Sequence, residues 1–305
     1  MTAFIAKRMG SALLTLLFIS ILTFSISHLA GDPASAIAGR EASAADIARI
    51  REFYGFDRPI TVQYLDWASD VLRGDFGQSY HYRQPVSALI MARLPITFTL
   101  GVAGLLFALV VGIPLGLLGA IRQNSLIDRF AVLMAAIGQA MPSFWLALVG
   151  IVVFGVTLRW LPISGSSGVA NFILPSVVLG FFTMPAILRL TRAGMIEALE
   201  SDYVRTARAK GLRPARIVLR HSLRNVLVSI VSISSIQLGS MLGGSIVIEQ
   251  VFALQGIGWL GYDATVRSDL PVLQAITILV AAFYVALTLI ADIINAFLDP
   301  RIGVT

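Results

Sequence analysis

Six apolar runs, each near the length that crosses a bilayer, dominate this chain: residues 9–30, 95–120, 130–158, 172–190, 226–248 and 271–297. A helix of about 20 residues covers about 30 Å of hydrocarbon, where the backbone has no water to bond and must satisfy itself. The runs therefore require an all-α membrane protein with six transmembrane helices. Composition agrees: of 305 residues 57% are hydrophobic and only 13% charged, with a mean hydropathy of +0.83. A soluble domain is about a quarter charged.

The charge is clustered. Segment 191–225 separates the fourth and fifth runs, and its core, Asp202–Asn225, reads DYVRTARAKGLRPARIVLRHSLRN. From Arg189 to Arg224 nine Lys/Arg face three acids (Glu197, Glu200, Asp202), a surplus of six that equals the formal net charge of the whole chain. Short basic segments are not translocated, so this one is assigned to the cytoplasm. Basic charge confined between spans fits the lipid bilayer as a partner and argues against nucleic acid. The turn Arg122–Arg129 is a second cytoplasmic segment. Lys7-Arg8 precede the first run, which reads as a cleaved signal peptide or as a first membrane helix. Its length exceeds that of a usual signal core and favours an uncleaved helix. Six spans then place both termini in the cytoplasm.

Segment 31–94 is different material, with eight acids and seven arginines among Gly, Pro and aromatic residues. Apolar spacing over Ala44–Phe53 and Ile60–Leu72 predicts two amphipathic helices outside the bilayer. It reads as a solvated extracytoplasmic loop or as a docking surface for an external partner. The second run carries Gly101, Gly104, Gly112, Gly116 and Gly119, which let neighbouring helices approach closely. Met141-Pro142-Ser143 interrupts the third run and predicts a kink or tilt there. Segments 159–171 and 249–269 are expected outside. The serines and glycines of the fifth run predict helix contacts or a polar passage, with Ser232, Ser235, Gln237 and Gly239 as candidate lining.

Several chemistries are excluded. With no cysteine there is no disulfide, thiolate zinc site or cysteine nucleophile. The three histidines are far apart in sequence, and no metal site is assigned. The two lysines, Lys7 and Lys210, each follow alanine, so no Gly-Lys-Ser/Thr phosphate loop exists. The span interiors are nearly free of charge: Asp292 lies toward the inner end of the sixth and Glu249 at the outer end of the fifth. That argues against a proton- or sodium-coupled carrier. No catalytic residue is assigned. A self-sufficient channel or carrier, or a polytopic enzyme, differs from an ATP-driven subunit in one cheap respect: only the last demands bound ATPase chains.

Within the basic segment, Ser201–Lys210 is good helical sequence, with Asp202 near its start and Arg208 and Lys210 near its end, as the helix dipole favours. Gly211 fits the position just past a helix end, with positive φ. Pro214 fits the first turn of a second helix. Ala207, Ala209 and Leu212 offer small apolar contacts between the arginines. Read from these residues alone, the segment is a helix–turn–helix or an ordinary basic loop that holds topology.

The stretch YVRTARAKGL…VLRHSLRN, with Ala207 four residues before Gly211, resembles the coupling loop of ABC importer permeases. It is similar in particular to the peptide/nickel family, in the subunit type with a large loop after the first span. The resemblance covers nearly the whole chain. It includes LAGDPA (Leu29–Ala34), FDRPITVQYLDW (Phe56–Trp67), RGDFGQS (Arg73–Ser79) and RLPITFTL (Arg93–Leu100). MPSFW (Met141–Trp145), VFALQGIGWL (Val251–Leu260), SDLPVLQ (Ser268–Gln274) and DPRI (Asp299–Ile302) complete it. Arg205-Thr206-Ala207 stands where the general motif has Glu-Ala-Ala, Ser229 where a proline is usual, and Gln255 where a proline often precedes Gly256.

The resemblance implies a type I, MetI-like permease fold in the bacterial inner membrane and a single permease domain. It implies a second homologous permease subunit, two cytoplasmic ATPase subunits carrying ATP and Mg, and an extracytoplasmic solute-binding protein. This chain would bind no cofactor itself. Contact with the ATPase would fall on Asp202, Tyr203, Arg205, Ala207, Ala209, Lys210, Gly211, Leu212 and Arg213. The cargo would be a dipeptide, a longer peptide, glutathione, an opine-like conjugate or a nickel chelate.

Overall fold

The computed structural model describes residues 2–29, 33–38 and 42–298, and their regular structure is helical. The DPRI landmark and Ala30–Asp32 of LAGDPA lie outside the described residues. The first half contains α1 (Thr2–Leu29), α2 (Pro33–Ala38), α3 (Ala44–Tyr54), α4 (Ile60–Leu72), α5 (Val86–Ile121), α6 (Leu126–Ala140) and α7 (Ser143–Gly150). A π-helical segment, Ile151–Thr157, prolongs α7. There follow α8 (Ala170–Glu200), α9 (Asp202–Ala209) and α10 (Pro214–Arg216). A second π-helical segment, Ile217–Ser222, leads into α11 (Leu223–Gly244), and α12 (Ile246–Val251), α13 (Ile257–Val266) and α14 (Leu270–Leu298) close the chain.

Among the described residues five helical stretches are long and apolar enough to cross a membrane: Ala6–Ser27, Val86–Ile121, Ala170–Glu200, Pro214–Gly243 and Leu270–Leu298. The remaining apolar run, the third in chain order, is a bent pair. Its arms, Leu126–Ala140 and Ser143–Thr157, meet at 104°. The cause is local: a residue before proline is driven out of the helical region, and Met141 is extended (φ −82, ψ 132). The kink expected at Pro142 is thus a break.

Helices α5 and α8 form the central pair. A Cβ on Gly116 would lie 2.6 Å from the Leu188 carbonyl oxygen, and one on Gly180 would collide with the Gly104 carbonyl. Backbones meet there because no side chain separates them. Around this contact Ala108, Ala131, Ala135, Met184, Ile187 and Leu188 form a continuous core. At 36 residues α5 measures about 54 Å, well beyond the roughly 30 Å of hydrocarbon. Its extra N-terminal turns bury Val86, Leu89 and Ile90 against Ile257, Leu260 and Val272. Pro95 consequently lies inside the helix, not at its start.

Helices α1 and α14 run antiparallel. Arg8 pairs with Asp292 at 3.1 Å near one end, and Gln274 Nε2 donates to Ser27 Oγ at 2.5 Å near the other. The amphipathic helices expected in segment 31–94 form as α3 and α4. Ser43 and Asp46 cap α3 reciprocally, and on Phe24 of α1 Tyr64 of α4 packs edgewise and Trp67 packs tilted.

The bundle has two distinct ends. One gathers the starts of α5, α8 and α14; the other gathers the Arg122–Asp128 turn, α9, α10 and the start of α11. At the second end Asp128 is buried and receives Arg192 Nε at 2.6 Å and Nη2 at 2.9 Å. That bidentate pair ties the α5–α6 turn to the last turns of α8.

At the first end segment 249–269 is folded, chiefly as α13. Gly256 precedes α13 and offers no side-chain cap. Two distant residues supply it instead. Thr97 Oγ1 of α5 accepts from Ile257 N–H at 2.7 Å, and Glu249 Oε2 accepts from Trp259 N–H at 2.7 Å. Glu249 is fully buried, and its Oε1 also accepts from the hydroxyls of Thr97 and Ser245, each at 2.8 Å. A Cβ at Gly256 would collide with Thr97 Oγ1, so only glycine fits between the two caps. Nearby, buried Asp269 accepts from the Ser79 hydroxyl and from the amides of Tyr80 and His81.

Candidate functional site

The basic segment folds into a two-helix knuckle mounted on α8. Only Ser201 separates α8 from α9; its backbone is extended (φ −68, ψ 154) and its Oγ donates to the Ala198 carbonyl at 2.6 Å. The chain turns sharply at that one residue. Helix α9 carries apolar residues on one side only, and buries Val204 and Ala207 against Ile217, with half-buried Leu212 closing the cluster.

The far end of α9 is fixed by geometry only glycine adopts readily. Gly211 has φ +73. Its N–H donates to Arg208 O at 2.9 Å, and the N–H of Leu212 to Ala207 O at 3.3 Å. This is the paired closure that ends a helix on a left-handed residue, with an apolar contact from the residue beyond it. Pro214 then opens α10, where its missing N–H is no loss. Tyr203 joins the two arms: its hydroxyl accepts from Asn225 Nδ2 at 3.1 Å.

The nine residues assigned to this segment divide in two. Asp202, Tyr203, Arg205, Ala209, Lys210, Gly211 and Arg213 are exposed and form the outer surface of the knuckle. Ala207 is buried and Leu212 half-buried; they hold the knuckle together. Arg205 and Asp202 approach to 3.3 Å, but both are more than four-fifths exposed, and such a pair contributes little. The sequence offered no signal for the π-helical segment or for the Tyr203–Asn225 bond.

The four residues assigned to a passage also divide. Ser232 Oγ accepts from Asn295 Nδ2 of α14 at 2.7 Å. Gly239 is the seat of the Tyr284 ring, which a Cβ there would strike. Both therefore serve packing between α11 and α14. Ser235 is half-buried and bonded to the Val231 carbonyl at 3.2 Å, and Gln237 Nε2 reaches toward Thr183 O of α8 at 3.5 Å. The open face of α11 is instead Ser229, Ile236, Ser240 and Gly243.

At the opposite end Tyr82 donates to Asp263 Oδ2 at 2.8 Å, and Arg267 pairs with Asp263 at 2.9 Å. Burial raises the Asp263 carboxyl, but the hydrogen bonds from Arg267 and Tyr82 outweigh it and hold its pKa below the ordinary range. Arg93 stacks over the rings of Tyr82 and Trp259, 5.7 and 5.8 Å from their centroids. Five of the quoted landmarks meet here: those containing Trp67, Ser79, Thr97, Ile257 and Asp269 supply the contacts that close this end.

Residues 112–304 match the family described as binding-protein-dependent transport system inner membrane component, and residues 1–101 match its N-terminal companion. The oligopeptide transport system permease protein AppB of Bacillus subtilis is 40% identical over 314 residues, covering 99% of each chain. The glutathione transport system permease protein GsiC of Salmonella typhimurium is 38% identical over 303 residues, again with 99% of each covered. Among solved structures, the inward-facing MetNI methionine ABC transporter gives a TM-score of 0.57 at 21% identity, over 69% of this chain and 96% of that one. That likeness speaks for the fold alone. The chain belongs to the binding-protein-dependent inner membrane components, the membrane-spanning permeases of ABC importers.

Proposed function

We propose that the chain is one of two related permeases that together carry peptides, or solutes built like them, across the inner membrane. Two ATPase subunits bind the basic end and a solute-binding protein docks on the opposite end. On this reading the basic end is cytoplasmic, both termini lie there, and segments 31–94 and 249–269 face outward. The α9–α10 knuckle is the coupling element, and ATP is hydrolysed only on the partner chains. Movement of the knuckle between two positions switches the permease pair between inward- and outward-open states. Uncharged residues of α11 line the passage, with Ser235 and Gln237 at its edge and Ser232 and Gly239 supporting it from behind. Peptide cargo rests on the names of the relatives, AppB and GsiC.

One observation carries this reading. A short helix, closed by Gly211 and packed on its own hydrophobic cluster, projects an exposed face from the end of the most deeply buried spanning helix. A loop that merely held topology would need no such construction.

Gly211→Val tests it. A Cβ at Gly211 meets nothing within 4 Å, so the substitution acts on the backbone alone. Holding a β-branched residue at positive φ costs on the order of 1 kcal/mol or more, little beside the burial that holds the bundle together. The expected variant reaches normal abundance but loses ATPase copurification or coupling, and with it transport. Gly211→Asn, which tolerates the left-handed region, restores both. Wild-type uptake and copurification in the valine variant would leave the coupling role without support.

A further inference from the structure

The α10–α11 stretch carries a second feature that the knuckle does not use. It forms one 30-residue apolar stretch, Pro214–Gly243. At 1.5 Å per residue this spans about 45 Å, against about 30 Å of hydrocarbon and about 40–45 Å for a bilayer with its headgroups. Counting back from Gly243 by the roughly 20 residues that fill the hydrocarbon reaches Arg224. Arg220 and Arg216 then lie about one and two turns further out, at headgroup depth.

These arginines share one exposed strip. Arg216, Arg220 and Arg224 follow at intervals of four, close to one per turn through the π-helical segment, with Leu219, 59% exposed, beside them. The inward side of the same helix is different: Ile217, Val226 and Ile230 are buried against α9 and α8. Among the described residues none of the three arginines has an ion-pair partner. Three unpaired guanidinium groups at phosphate depth, at the head of a helix whose next roughly 20 residues cross the hydrocarbon, match a lipid that carries a negative headgroup above its acyl chains.

We propose that this strip is a docking site for anionic phospholipid in the leaflet at the basic end of the bundle. Guanidinium groups hold the phosphates in fork geometry, just above the level where the hydrocarbon-spanning part of α11 begins. Because the strip starts only three residues after Arg213, bound lipid steadies the root of the knuckle. The depth argument needs only that the helix crosses the membrane, and so stands apart from the coupling role.

The test uses the full-length chain in mild detergent, titrated with phosphatidylglycerol or phosphatidylcholine and read by native mass spectrometry. Wild type should retain phosphatidylglycerol in preference to phosphatidylcholine. Each arginine near the surface contributes a little over fivefold, so R216Q/R220Q/R224Q should bind phosphatidylglycerol about a hundredfold more weakly. The matching triple lysine variant keeps the charge and should stay within about tenfold of wild type. Glycerol 3-phosphate, a headgroup without chains, should not displace the lipid. Unchanged phosphatidylglycerol retention in the glutamine triple overturns the proposal. So does equal loss in both triples, which would mark a folding defect, or displacement by glycerol 3-phosphate. A glutamine triple that keeps its lipid but loses its ATPase overturns it too, and assigns the strip to a protein partner.

Discussion

Replacing Glu249 tests how the first end of the bundle is held. Its carboxylate takes three donors, from Thr97, Ser245 and Trp259, and no described cation pairs with it. The positive end of α13 is its counter-charge, through the N–H of the third helical residue. Glu249→Ala removes all three acceptor contacts at once. Ser245 has an alternative in the Leu242 carbonyl at 3.4 Å, so two buried donors, the Trp259 amide and the Thr97 hydroxyl, are left unmatched. At about 1–3 kcal/mol for each such group, the loss is about 2–6 kcal/mol. Glu249→Gln is the finer probe. Its carbonyl oxygen can still accept from Thr97 and Ser245, but its amide then turns an N–H₂ toward the Trp259 N–H, donor against donor. That strands one group and costs about 1–3 kcal/mol. Hydrogen exchange read by mass spectrometry should therefore show α13 amides opening about tenfold faster in the glutamine variant, with the rest of the bundle unchanged, since 1.4 kcal/mol is a factor of ten. The alanine variant should be faster still and melt earlier in detergent. Wild-type exchange in α13 for both variants would refute the capping argument.

Two further expectations follow from the ion pairs. Arg192→Ala leaves the buried Asp128 carboxylate with the Asn124 amide as its remaining donor, at 2.9 Å, and should destabilise by about 1–3 kcal/mol; Asp128→Ala/Arg192→Ala together should cost less than the sum of the two single changes, measured by thermal melting in detergent. Asp263, its pKa depressed, contributes stability that is fully present above the unfolded carboxylate value near 3.9 and is lost as pH falls through the lower folded value. The melting-temperature gap between wild type and Asp263→Asn should hold steady from neutral pH down to about pH 5 and shrink below about pH 4. A gap independent of pH would remove the assigned ion pair.

Much of the architecture was legible because lipid leaves the backbone few options. Length fixed five spans, and the glycines at 104 and 116 marked a contact they do make. Gly211 and Pro214 were readable for a similar reason: each is chemically suited to one backbone position, and both occupy it. What escaped notice depends on partners far away in sequence. Glu249 looked like a charge at a span boundary; only the fold brings Thr97 and Trp259 to it. Arg192 counted only as one base of a topology signal and Asp128 not at all, since nothing local pairs residues 64 apart. Ser232 and Gly239 had the composition of a passage, yet small polar residues also suit helix contacts. In the fold Ser232 meets Asn295 and Gly239 meets the Tyr284 ring, contacts with α14 that composition could not announce.

The two ends of the bundle are joined by something stiffer than a loop. Helix α8 is continuous from Ala170 to Glu200, about 46 Å, and close contact with α5 along its length leaves little room to bend. At one end it carries α9 across the single residue Ser201. At the other its Leu174, Val178 and Leu179 pack with Ile248, Phe252 and Leu254, the residues that flank Glu249 and lead to α13. A displacement applied to the knuckle can break at Ser201, bend α8 at Pro185 within it, or move α8 as a rod and carry the α12–α13 corner with it. The half-buried hydroxyl contact of Ser201 and the Asp128–Arg192 clamp oppose a break, and the packing of Met184, Ile187 and Leu188 on α5 opposes a bend at Pro185. We infer that coupling travels by rigid movement of α8, and Glu249 decides the point. With α13 loosened by Glu249→Gln but the knuckle untouched, ATPase binding should persist while transport falls. Full transport with a loosened α13 would mean that the α12–α13 corner is not part of the route.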